Sequence, residues 1–136
     1  MRSFVLDASA LLRFLHNEAG GARVEQLLLE AQQGQAELSM SAVNWGEVIY
    51  IVCRERGVRE AQAIIAAIKS MPLSIEPAAA DVAEAAALFK QRWKVPYADA
   101  FAGALGESSG ATLVTADNDF RLVRSGLILE FLPSKA

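Results

Sequence analysis

The apolar run Phe4-Val5-Leu6 has no polar alternation and stops at Asp7. A run of this kind marks a strand covered on both faces in a parallel sheet, so it predicts a central strand with Asp7 where that strand surfaces. Leu11, Leu12 and Leu15 then predict a short helix over residues 8–15, which Asn17 and Gly20-Gly21 end. Val24, Leu27, Leu28 and Ala31 follow at i, i+3, i+4 and i+7, a second helix with Gly34 as its stop signal. A strand is predicted over residues 37–40. Ser41 then caps a long helix over residues 42–56, which carries Trp45, Val48, Ile49 and Val52 on its apolar side and ends at Gly57.

Ala61, Ile64, Ile65 and Ile68 are in helical register over residues 59–70, and Pro72 breaks the pattern. A short strand is predicted over residues 73–76. Val82, Ala86, Phe89 and Trp93 form the inner stripe of a helix over residues 79–94, and Pro96 opens the next one. In that helix Ala98, Phe101, Ala102 and Leu105 face the core. Asp99, Ala102, Gly103 and Gly106 share a stripe of small residues, beside which a second backbone is expected to approach. Residues 111–115 are the clearest later strand, Asp117-Asn118-Asp119-Phe120 a turn or first helical turn, and residues 127–132 the last strand. Strands and helices in this order fit an α/β protein with a parallel sheet, right-handed crossovers and helices on both faces.

The length of 136 residues suits a single domain, and 53% hydrophobic with 21% charged residues is a globular composition. A net charge of −3 supplies no electrostatic argument for nucleic acid. Divalent ions bound in an acidic pocket would reverse that sign locally. The lone cysteine, Cys53, excludes an intrachain disulfide and fits a reducing compartment. The apolar stretch before Asp7 is too short for a signal-peptide core, and no run approaches the roughly 18 apolar residues of a membrane span. A soluble, cytoplasmic protein is expected.

Candidate chemistry lies in the acids. Asp7 and Asp117 both follow apolar strands, Asp99 follows a proline at a helix start, and Glu47 lies in the first turns of a helix. In a parallel sheet, strand ends and helix starts gather on one edge, where ligands bind. Each acid also has a plain structural use: the three aspartates as helix caps, Glu47 as a solvated side chain near a helix N-terminus. Gathered together, however, they repel unless a proton or a cation intervenes, and hard oxygen ligands suit Mg²⁺ or Mn²⁺.

The ordered set Phe4-Val5-Leu6-Asp7-Ala8-Ser9, Ser41 with Glu47-Val48, Pro96-Tyr97-Ala98-Asp99-Ala100-Phe101-Ala102-Gly103-Ala104 and Leu113-Val114-Thr115-Ala116-Asp117-Asn118-Asp119-Phe120 resembles the PIN-domain ribonucleases, in particular the VapC-type toxins of prokaryotic toxin–antitoxin pairs. The resemblance implies a three-layer α/β/α sandwich with a mainly parallel central sheet and a Mg²⁺- or Mn²⁺-dependent endoribonuclease site. It further implies a homodimer, inhibition by a small VapB-like antitoxin, and hydrolysis of RNA that leaves a 5′-phosphate and a 3′-hydroxyl. By position, Asp7, Glu47, Asp99 and Asp117 form its acidic quartet and hold the metal. Asp7 and Asp99 would be the most direct ligands, Glu47 and Asp117 assisting, with Ser9 and Thr115 at the hydroxyl positions. The last acid of the pattern aligns with Asp117 or Asp119 and is assigned to Asp117, nearest the strand end.

Competing readings are a phosphotransferase with Asp7 as nucleophile, a housekeeping RNA-processing nuclease, and an inactive PIN-like binding module. The first lacks a second aspartate at position 9, where Ser9 stands, and a convincing downstream lysine. His16, the only histidine, and Cys53 are read as packing residues, as are Trp45 and Trp93 at helical spacing with their apolar neighbours. Arg13, Arg54, Arg56, Arg92 and Lys94 are the candidate phosphate contacts.

Overall fold

The computed structural model describes residues 1–134. Five strands, β1 (Arg2–Leu6), β2 (Ala36–Ser41), β3 (Ser74–Glu76), β4 (Thr112–Thr115) and β5 (Ile128–Phe131), form one sheet in the order β3-β2-β1-β4-β5. Every neighbouring pair is parallel. The chain first builds outward from β1 through β2 to β3, then restarts on the other side with β4 and β5. The change of direction falls between β1 and β4, where a parallel sheet opens a crevice at its carboxyl edge.

β1 is central, as its unbroken apolar run predicts, and it feeds both cores. Phe4 and Leu6 join one buried cluster with Leu38 and Met40 of β2 and Val114 of β4. Val5 joins the other with Leu113. Side-chain alternation along the strand thus serves two faces. The first cluster is completed by helices α1 (Ala8–Leu15), α2 (Gly21–Gln32), α3 (Ala42–Arg56) and α4 (Val58–Lys69), which supply Leu11, Leu27, Val48 and Ile68. The second is completed by α5 (Ala80–Trp93) and α6 (Tyr97–Ser109), with Phe89 and Phe101. The result is the three-layer α/β/α arrangement. Among the described residues no helix is long and apolar enough to cross a membrane.

Two joints bound the helices that carry Glu47 and Asp99. Gly57, at φ +91°, ends α3 and opens α4 in a backbone conformation that a side chain disfavours. α5 ends on Lys94 in the left-handed conformation, Lys90 Nζ donates to the Val95 carbonyl at 2.9 Å, and Pro96 caps α6. Asp99 therefore sits in the first turn of α6.

At its closest points the small-residue stripe receives side chains, with a backbone carbonyl only behind them. The Phe89 ring from α5 lies nearest to Gly103, and a Cβ there would stand 2.3 Å from its Cζ. Gly106 meets both kinds of neighbour, its hypothetical Cβ 2.6 Å from Leu127 Cδ1 and 3.7 Å from the Ala111 carbonyl oxygen. Large apolar side chains thus fill the hollows that these two glycines leave.

Candidate metal centre

Asp7 caps α1 and is also the best-held acid of the crevice. Its Oδ1 accepts from the Ala10 amide at 2.9 Å and from Ser9 Oγ at 2.7 Å, while Thr115 Oγ1 donates to Oδ2. The hydroxyls are themselves fixed from behind: the Ala116 amide donates to Ser9 Oγ and the Asp117 amide to Thr115 Oγ1, each at 2.9 Å. Ser9 and Thr115 thus tie the end of β1 to the end of β4. Burial pushes the Asp7 carboxyl up to about 6; the Ser9, Thr115 and Ala10 hydrogen bonds work against that rise, and the charge of Asp117 adds to it.

Asp99 has no such support. α6 carries no side-chain cap, so Asp99 is not spent on its own helix, and its Oδ2 is buried with no hydrogen-bond partner. Asp117 and Asp119 flank it, and one oxygen from each of the three carboxylates lies within 4.8 Å of the others. Asp117 follows β4 and accepts from the Asp119 amide at 2.8 Å, opening a 3-10 turn over Asn118–Leu122. That turn swings Asp119 back toward Asp99. Burial first, then the adjacent Asp117, then the charges of Asp7 and Asp119, push Asp99 up to about 8. Asp119 is also raised, by burial and by Asp117.

The four acids expected to act together therefore divide. Asp99 and Asp117 meet, and Asp119, passed over in favour of Asp117, stands with them as a third carboxylate. Asp7 borders this group and shares its field. Glu47 is half-buried and outside the three-acid group, with its Oε1 accepting from Asn44 Nδ2 at 3.1 Å. Nδ2 also donates to the Ala98 carbonyl at 3.0 Å. Asn44 was not visible as a site residue, although one signal marks it. It occupies the same i, i+4, i+8 stripe as Val48 and Val52, and a polar residue on a buried stripe calls for a partner.

Three close carboxylates with one unpartnered buried oxygen fit a divalent cation with hard-ligand preference, which would replace the proton that burial favours on Asp99. Asp99, Asp117 and Asp119 are the residues placed to hold it.

Among the candidate phosphate contacts, Arg13 is corrected. It is buried and donates from Nη1 to the carbonyls of Ala19 and Pro133 at 2.6 and 2.7 Å, an internal tie. Arg92 pairs with Glu107 and Arg56 with Glu60. Arg54, over the Tyr50 ring, lines a cleft of about 540 Å³ together with Ser9, His16, Asn118 and Asp117. His16 stands between Glu18 and Glu55, at 3.6 and 3.3 Å. Trp45 and Cys53 pack against one core and Trp93 against the other. A larger hollow of about 760 Å³ is lined by Ser3, Phe4, Glu37 and Ser109, near the opposite edge of the sheet and without the acid cluster.

This fold and crevice belong to a class recognisable in sequence: a model of the PIN domain matches residues 4–125, and the chain belongs to the PIN-domain family. Solved structures extend the likeness. One is VapBC2 from Rickettsia felis bound to a DNA fragment from its promoter, with TM-score 0.74, 18% identity, and 96% of this chain and 99% of that chain covered. Another is DNA-bound VapBC from Salmonella typhimurium, with TM-score 0.75, 18% identity and coverage of 96% and 98%. A third is Mycobacterium tuberculosis VapC20, a sarcin–ricin loop cleaving toxin, with TM-score 0.67, 21% identity and coverage of 87% and 92%. No curated protein matches the chain in sequence.

Proposed function

We propose that this chain is a Mg²⁺- or Mn²⁺-dependent endoribonuclease, the toxin of a toxin–antitoxin pair, acting on tRNA or another structured RNA. The observation that carries the reading is the buried, unpartnered Asp99 Oδ2 between Asp117 and Asp119, a group that is unfavourable as it stands and is relieved by a cation. When bound, such an ion polarises the phosphodiester and promotes attack by water. Asp99, Asp117 and Asp119 would hold it, and Glu47 would hold or orient the water. Asp7 would keep the crevice rigid through Ser9 and Thr115. Ser9, standing where a phosphotransferase of that kind would carry a second aspartate, instead donates to Asp7 Oδ1, which disfavours the nucleophile reading.

Substrate would reach the acids along the cleft that joins Ser9 and Asp117 to Arg54, whose guanidinium is available to a backbone phosphate. The structural likeness to VapBC assemblies supports a small VapB-like antitoxin as partner, and that to a sarcin–ricin loop cleaving toxin supports a structured RNA as substrate. A cytoplasmic, single-domain homodimer completes the proposal.

The test is cleavage of a pool of tRNA and structured RNA by purified protein with Mn²⁺ or Mg²⁺, beside chelator and Asp99→Asn controls. Discrete fragments that vanish in both controls support the nuclease. Intact RNA with folded protein that binds Mn²⁺ favours the binding-module reading.

A further inference from the structure

Asn44 is 1% exposed, yet it carries a full amide into the interior. Both groups that meet one end of that amide, Glu47 Oε1 and the Ala98 carbonyl, are acceptors. That end must be the nitrogen, and its two protons are accounted for. The other end, Oδ1, is buried without a partner. A buried acceptor left in this way is destabilising, and a side chain needed only for packing at this point of the Val48–Val52 stripe would be apolar. The amide is therefore explained by what it connects. On one side is Glu47 of α3. On the other is the peptide unit whose carbonyl is that of Ala98 and whose nitrogen is that of Asp99.

We infer that Asn44 is a positioning residue that sets the separation of Glu47 and Asp99 by bridging α3 to the first turn of α6, and so tunes the crevice for its cation. The inference rests on the proposed nuclease reading. Asn44 touches neither the three-acid group nor the cleft that leads to it, so it acts through the residues it holds. The side chain suits this role because one planar amide presents two donors in a fixed fork, which defines a distance that a hydroxyl with one donor does not.

The experiment compares the native protein with Asn44→Leu and Asn44→Ser. Thermal unfolding, free Mn²⁺ followed by electron paramagnetic resonance, and kcat and KM for RNA cleavage are read in parallel. Leucine keeps the volume and removes the orphaned oxygen. Its variant is expected to melt no lower than the native chain, yet bind Mn²⁺ at least tenfold more weakly and lose kcat with little change in KM, the size of effect seen when a residue supporting metal ligands is lost. Serine, able to serve one acceptor at a time, should recover part of the Mn²⁺ affinity. Should the leucine variant not fold, the serine variant decides alone, by weakened Mn²⁺ binding in a folded chain. Native Mn²⁺ affinity and kcat in whichever variant folds overturn the inference. A native chain that binds Mn²⁺ but does not cleave RNA overturns the nuclease reading while leaving the bridge measurable; a native chain without Mn²⁺ affinity removes both.

Discussion

At Asp99 the chain places a carboxyl where ionisation is unfavourable: half-buried, one oxygen unpartnered, Asp117 and Asp119 alongside. Asp99→Asn keeps the shape and removes a carboxylate that a cation would need. It should abolish cleavage while the metal-free protein melts at the same temperature or higher; a lower melting temperature would show that the carboxylate contributes to folding. The sign of the pH dependence follows from the raised values. Asp7 at about 6 and Asp99 at about 8 stand above the ordinary 3.8. Between these limits the folded chain holds protons that the unfolded chain releases, so stability falls as pH rises from about 4, through about 6 for Asp7 and about 8 for Asp99. For fully buried Asp7 the loss is on the order of 3 kcal/mol. Melting curves in chelator should therefore decline from pH 5 to pH 9, and Mn²⁺ should flatten the decline at its upper end. Thr115→Val, which strips a donor from Asp7 and an acceptor from the Asp117 amide, should lower stability by about 1–3 kcal/mol in denaturant titration.

Elements carry the acids, and their contacts decide where the acids stand. Gly103 shows this for α6: Gly103→Ala drives a Cβ into the Phe89 ring, and the two helices must part to admit it. A cost of about 1–3 kcal/mol is expected, read by denaturant unfolding, with weaker Mn²⁺ binding because α6 carries Asp99. The bounds of α3 were legible in its caps, Ser41 and Gly57, and those of α1 in its leucines. The occupant of the α6 stripe was not, because small residues announce a close approach without saying whether a backbone or a ring makes it. Arg13 was illegible for a related reason. A cation in an amphipathic helix looks the same whether it faces solvent or reaches carbonyls beyond its own helix, and one of these, that of Pro133, is 120 positions away.

For the molecule as a whole, the acids at strand ends could be read from chain order because a parallel sheet sends those ends to one edge. Their grouping could not. Whether Asp119 joins depends on the 3-10 turn after β4, and Glu47's link to Asp99 depends on an asparagine whose neighbours are set only by the docking of α3 on α6. The same order has a consequence in time. β1 is made well before its partner at the crevice, β4, and Asp117 and Asp119 follow β4. A nascent chain holding Asp7, Glu47 and even Asp99 still lacks two members of the three-acid group. A site assembled in this order stays incomplete until β4 and the turn after it have left the ribosome and docked beside β1.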